Sequence, residues 1–200
     1  MEKILIAIIG LGLSMAVFYG YQWYSSSQAV IKIPSEESEE LSAHAVSPSE
    51  NIEHQDPQMS DEVENFTTGE EMAQLKIPSI ETGYPVYWGA DEETLDQGVG
   101  MYVSEWTTTP DEFRHTVVSG HRDTVFTALG DVKEGDSLYI EYKNEVYEYA
   151  VKDIWITGAE DRTVIVDKET PTLTLTTCYP FDYIGNAPDR YIIQGEMVTN

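Results

Sequence analysis

The chain's only cysteine, Cys178, ends an alternating run, Thr172-Leu173-Thr174-Leu175-Thr176-Thr177, and is followed by Tyr179-Pro180. Strict alternation predicts a strand with leucines on one face and threonines on the other. Cys178 then points with Thr172, Thr174 and Thr176, at a mouth rather than into the core. One cysteine makes no internal disulfide and no multi-cysteine zinc site. A buried free cysteine is an inert small hydrophobe, but a thiol at a strand end in an oxidising exterior invites oxidation, so its presence there points to a nucleophile. A thiol attacking an amide needs one group to move protons and another to stabilise the oxyanion. Histidine titrates in the range for the first task. Of the four histidines, His44 and His54 lie in a polar stretch, and His115 opens a strand directly after Arg114 and reads as an ordinary surface residue. His121 follows Gly120 just past a β-branched run, in a loop at a strand end, where catalytic groups are commonly held. For the cation, Arg190 begins the last apolar run, twelve residues after Cys178. Arg114, Arg122 and Arg162 are competitors that spacing does not exclude.

The elements that must position these groups are mostly strands. Gln74-Leu75-Lys76-Ile77 alternates up to Pro78, and Tyr84 to Trp88 is a second run whose Pro85 suits an edge. Asp91 to Gln97 reads as a short helix, with acids at its start and Gly98 past its end. His115 to Ser119 is β-branched and closed by Gly120. Ser137 to Tyr142 and Glu145 to Ile156 form a hairpin about Lys143-Asn144, and Arg190 to Val198 is the last strand. Seven or eight short strands with brief helical turns predict a mainly β fold, a closed barrel.

Ahead of this lie two segments of different character. Ile4 to Tyr24 is 21 residues of nearly unbroken apolar sequence, about 30 Å as a helix, the thickness of a hydrocarbon core. Tyr19, Tyr21, Trp23 and Tyr24 cluster at its end as an aromatic belt would, and Lys3 precedes it, which favours an N-in, C-out anchor. The run is longer than the apolar region of a cleaved signal peptide, so residues 1–24 read as an uncleaved signal anchor. Residues 25–71 hold twelve acids and one base, Lys32, with no sustained period, the composition of a disordered, charge-extended linker. A local helix about Asp61 to Phe66 would not change that. Asn65-Phe66-Thr67 fits a glycosylation sequon, a short pattern of little specificity. Residues 72–200 are the globular domain, enough for one core. The whole chain carries 36 acids against 11 bases, a net charge of −25. That repels a phosphate backbone and excludes electrostatic nucleic-acid binding. The acids show no EF-hand spacing, so no metal and no cofactor is expected.

Gly120-His121-Arg122-Asp123-Thr124, the run Thr172 to Phe181 with its Thr-Thr-Cys-Tyr-Pro-Phe ending, and Arg190, in that order, resemble the sortase family. The likeness begins near Leu75-Lys76-Ile77-Pro78, takes in Pro85-Val86-Tyr87 and Gly98-Val99-Gly100, and runs to the C-terminus. It is similar above all to class D sortases. Neither the added helix of class B nor the Asp-Pro-aromatic lid of class C is evident. The resemblance implies an eight-stranded barrel behind a membrane anchor and tether. It also implies an extracellular cysteine transpeptidase on a Gram-positive-type bacterial surface. Such an enzyme cleaves a Leu-Pro-x-Thr-type sorting signal after Thr, holds the surface protein as a thioester, and transfers it to an amine of a peptidoglycan precursor. Carried over by position, Cys178 is the nucleophile, His121 the general acid/base and Arg190 the oxyanion stabiliser; adjacent cations would favour the reactive thiolate. Some class A members use Ca²⁺, for which this sequence shows no ligand set. In the loop after Cys178, Tyr183 and Ile184 are candidates to wall the substrate groove. The contrasting reading is a catalytically inactive, membrane-tethered peptide-binding domain. A kinase is excluded, since His121-Arg122-Asp123 has no accompanying Gly-rich loop. A papain-like order is excluded because Cys follows His. An L,D-transpeptidase sets its cysteine in a different motif.

Overall fold

The computed structural model describes residues 2–34, 36–46, 66–182, 185 and 187–199. Helix α1 (Glu2–Ser27) contains a stretch, Lys3–Tyr21, of mean hydropathy 2.1 with none of it buried, long and apolar enough to cross a membrane. Strand β1 (Ile31–Lys32), helix α2 (Glu37–His44) and strand β2 (Ala45–Val46) follow.

The remaining strands are β3 (Glu71–Ile77), β4 (Thr82–Trp88), β5 (Val99–Met101), β6 (His115–Ser119), β7 (Ser137–Tyr142), β8 (Glu145–Gly158), β9 (Thr172–Tyr179) and β10 (Asp189–Met197), with a one-turn helix α3 (Glu92–Leu95) between β4 and β5. Their order is β4-β3-β7-β8-β10-β9-β6-β5, and β5 returns to pair with β4, so eight strands close a barrel. Closure removes the free sheet edges. The alternation read from sequence sets the inside: Leu75, Ile77, Leu138, Ile140, Leu173 and Leu175 are buried in one core. The β7–β8 turn has positive φ at both Lys143 (52°) and Asn144 (65°), the backbone of a tight two-residue hairpin. At α3, the Asp91 carboxylate accepts from the Thr94 amide, a side-chain N-cap, and the helix is shorter than the Asp91 to Gln97 expectation.

Strand β5 lies outside the runs read as strands, because three residues around Gly100 carry no measurable period. It is nonetheless what closes the barrel, pairing parallel with β4 (Val86 opposite Val99) and antiparallel with β6 (Gly100 opposite Ser119).

Residues 31–34 and 36–46, within the stretch expected to be disordered linker, instead lie on the barrel as a strap. Strand β1 pairs with β4 at Ile31 opposite Gly83, and β2 pairs parallel with β8 at Ala45 opposite Val146. Between them Leu41 is 5% exposed, worth about 2 kcal/mol of burial. The Ser42 and Ser38 hydroxyls lie 2.7 and 3.1 Å from the Tyr139 hydroxyl. Lys76 Nζ meets Glu37 at 2.6 Å and Glu141 at 2.8 Å. Burial works against that ammonium, but the two carboxylates together outweigh it and raise its pKa. Composition hid the strap because its few apolar contacts, Ile33 and Leu41, are too sparse to form a period. Residues 47–65, where most of the possible Asp61 to Phe66 helix and the sequon Asn65 fall, lie outside the described residues.

Candidate active site

Three strand ends bring the chemistry together. Strand β9 is flanked by β6, parallel to it, and by β10, antiparallel. Arg190 is the register partner of Cys178 across the β9–β10 ladder, so their Cα atoms sit about 5 Å apart. On the other side Ser119 is the partner of Thr176. His121 lies two residues past the end of β6, and it lines the same groove as Cys178. The chain leaving β6 is pinned to β9 there: the Gly120 amide donates to the Thr176 carbonyl at 3.2 Å, and Thr177 Oγ1 donates to the Gly120 carbonyl at 2.7 Å. The turn after it is closed by the Phe126 amide on the His121 carbonyl. His121 is thus held by main-chain bonds on both sides of it.

The same face carries all three groups. Residues of β9 with the parity of Cys178, and of β10 with the parity of Arg190, lie outside the core formed by Leu173, Leu175 and Ile193. Of these, Thr176, Cys178, Arg190 and Ile192 line an open groove of about 730 Å³, which His121 lines as well. One wall is the β8–β9 loop, through Arg162, Val164 and Ile165; the other is the loop after β5, through Tyr102 and Trp106. Those two aromatics are 40% and 42% exposed, an apolar surface open to a ligand. Cys178 is partly exposed and unpaired. His121 Nε2 lies 3.9 Å from Asp96 Oδ1, so a carboxylate faces the imidazole edge. The Arg190 guanidinium donates from one terminal nitrogen to the carbonyls of Asp189 (3.0 Å) and Ala187 (3.4 Å), which fixes its head at the rim.

The competing cations sort by position. Arg114 pairs with Asp167, and Arg122, 8% exposed, donates to the Gly185 carbonyl at 2.8 Å. Arg162 does line the groove, but only Arg190 is in register with the thiol. Tyr183 and Ile184 lie outside the described residues. The groove walls were missed by sequence reasoning; Val164-Ile165-Val166, an apolar triplet inside a charged loop, was the available signal. Among the described residues no group of three metal-ligating side chains occurs.

His115 is not the surface residue its sequence position suggested. It is fully buried, its Nδ1 2.7 Å from the Val166 carbonyl and its Nε2 2.8 Å from Thr174 Oγ1. Burial pushes its pKa down to about 4; the bond to Val166 and the nearby Asp167 act the other way, and Lys168 adds to the lowering. The folded value is below the unfolded one, near 6.5, so between those pH values the unfolded chain binds more protons and stability falls as pH falls. The full loss, reached below pH 4, is about 3 kcal/mol. Denaturant unfolding of wild type and His115→Asn from pH 7.5 to 4 is expected to show this as a difference in slope, which cancels the carboxylates common to both.

A family model of the sortase domain matches residues 75–198. Sortase D of Bacillus subtilis (strain 168) is 41% identical over 133 residues, 66% of each chain, so the match spans just under two thirds of that relative's length. Among solved structures, the catalytic domain of B. anthracis SrtD is 56% identical, with a TM-score of 0.59 over 72% of this chain and 95% of that one. The lid mutant of Streptococcus agalactiae sortase C1 is 27% identical, with a TM-score of 0.61 over 70% of this chain and 75% of that one.

Proposed function

The chain belongs to the sortase family, and from that membership we propose that it is a membrane-anchored cysteine transpeptidase acting on sorting signals of Leu-Pro-x-Thr type. The observation that carries the reading is the alignment of His121, Cys178 and Arg190 on three adjacent strand ends at one groove. In the proposed mechanism the Cys178 thiolate attacks the carbonyl of the signal's Thr. Arg190 donates to the oxygen as negative charge develops there. His121 gives a proton to the departing amine, leaving the acyl half as a thioester on Sγ. An incoming amine then attacks the thioester. His121 takes the proton from it, a new amide forms and the Cys178 thiolate is released, which restores the starting pair.

The groove supports the choice of substrate class. Val164, Ile165 and Ile192 give it an apolar wall and floor for a leucine, while Trp106 and Tyr102 face it from the other side. The acceptor in this reading is an amine of a peptidoglycan precursor, and the anchored partners are surface proteins ending in such a signal. The domain bounds proposed are an anchor at 1–24, a linker at 25–71 whose residues 31–34 and 36–46 strap the barrel, and a catalytic domain at 72–200. Helix α1 is proposed to run N-in, C-out, which sets the groove on the outer surface.

Intact mass spectrometry of the full chain in detergent micelles, mixed with a panel of Leu-Pro-x-Thr-x peptides, tests this. The expected result is an adduct on Cys178 equal to the peptide's acyl half, discharged by added amine into a new amide. An unmodified protein with every peptide, alongside a thiol no faster towards iodoacetamide than free cysteine, would instead leave a peptide-binding domain.

A further inference from the structure

The β8–β9 connection, residues 159–171, is thirteen residues without helix or strand, yet it forms one wall of the groove. A loop of that length holds a fixed position only if it is tied down. Its first half is folded on itself: Asp161 accepts from the Thr163 amide and hydroxyl at 2.8 and 2.7 Å, and from Thr157 Oγ1. Its second half is tied to the barrel from below. The Val166 carbonyl is an acceptor only, so His115 Nδ1 carries the proton and donates to it, and Nε2 then accepts from the Thr174 hydroxyl. Thr174 Oγ1 in turn accepts from Gln194 Nε2 at 3.0 Å, and Gln194 Oε1 accepts from Lys168 Nζ at 3.3 Å. The Arg114–Asp167 ion pair closes the same side at the surface. Every donor and acceptor of the imidazole is used, one on the strand that carries Cys178 and one on the loop.

We propose that His115 is a positioning residue for the substrate groove: seated on β9 through Thr174, it holds the β8–β9 loop at Val166, one residue from the wall residue Ile165, and so sets the width of the cleft. This rests on the groove being the peptide site. A buried apolar side chain would fill the same space, but it would leave the Val166 carbonyl without its donor and the wall free to swing. The imidazole is fully buried and touches neither the groove nor the reacting atoms. The groups around it are Arg114 just before it in the chain, Thr174 and Gln194 from β9 and β10, and Asp167 and Lys168 from the loop.

Three substitutions in the full chain separate tethering from packing. His115→Asn keeps a donor at the Nδ1 position and loses the strand bond. His115→Gln reaches Thr174 and loses the loop bond, and His115→Leu loses both. The readouts are KM and kcat for a Leu-Pro-x-Thr-x peptide, amide hydrogen exchange of residues 159–171, and the rate of Cys178 alkylation by iodoacetamide. Loss of the loop bond is expected to raise KM about tenfold in His115→Gln and His115→Leu. Exchange across 159–171 should speed up in the same two, with kcat and alkylation near wild type, while His115→Asn, which keeps the loop bond and loses only the seat on Thr174, shifts KM and exchange less than either. KM and loop exchange unchanged in His115→Gln and His115→Leu, with only the melting temperature lowered, would overturn the proposal and leave His115 a packing residue. If wild type turns over none of the peptides but alkylates quickly, the substrate reading fails, and the exchange pattern alone decides the tether.

Discussion

Replacing Cys178 with alanine is expected to abolish both the acyl adduct and transfer, a loss of at least about 10⁵ in turnover, since Cys178 is the chain's only thiol and the hydroxyls that line the groove, Thr157 among them, are far weaker nucleophiles. His121→Ala should cost about 10³ to 10⁴ in kcat, the value of a positioned general acid. Arg190→Ala should cost about 10³, the value of a strong oxyanion donor. Arg190→Lys should recover only part of that. A lysine keeps the charge but not the planar fork that holds the Asp189 and Ala187 carbonyls while presenting further N–H groups. Rates of amide formation by chromatography, with iodoacetamide alkylation alongside, separate the roles. Cys178→Ala loses alkylation altogether. Arg190→Ala keeps the thiol but slows the chemistry. His121→Ala turnover within tenfold of wild type would remove it from the mechanism.

The placing of Cys178 at a strand end was legible in the sequence because strand periodicity is short-range. Thr172 to Thr176 alternates, so the face of the thiol could be read from one segment alone, but β9 is buried on both faces from Thr172 to Leu175 and only Thr176 and Cys178 of that face are half-buried. What periodicity cannot give is which strands are neighbours. That His121 and Arg190 flank Cys178 on opposite sides depends on β6 and β10 both pairing with β9, a consequence of barrel closure rather than of any local run. The resemblance to a family supplied that step in advance. Three features stayed hidden for three reasons. Strand β5 is too short to carry a pattern. The strap ahead of the barrel is bound by a few contacts, Leu41 and the Tyr139 hydroxyl among them, diluted in acidic sequence. His115 read as surface because a histidine beside an arginine at a strand start usually is. Only the loop folding back over β6 and β9 buries it.

Barrel closure has its own test at Gly100, where an added methyl has nowhere to go. A Cβ built there would lie 2.2 Å from the Gly89 carbonyl oxygen and 3.1 Å from Leu95 Cδ2. A leucine tip can rotate away, but a backbone carbonyl moves only with its strand. Gly89 follows directly on β4, and β4 pairs with β5 at Tyr87 opposite Gly100. Gly100→Ala must therefore part β5 from the end of β4 at the one seam that closes the sheet. The cost is expected to exceed the 1–3 kcal/mol of ordinary overpacking, a large share of the roughly 5–15 kcal/mol that holds a domain together. Denaturant unfolding should show a lowered midpoint. The effect should also reach the site, because Gly100 is the partner of Ser119 on β6, two residues before His121, and β5 leads directly into Tyr102 on the groove wall. Activity in the folded fraction should then fall further than the folded fraction itself. A Gly100→Ala protein with unchanged midpoint and unchanged turnover would mean that the β4–β5 seam is loose and that the His121 strand is held by β9 alone.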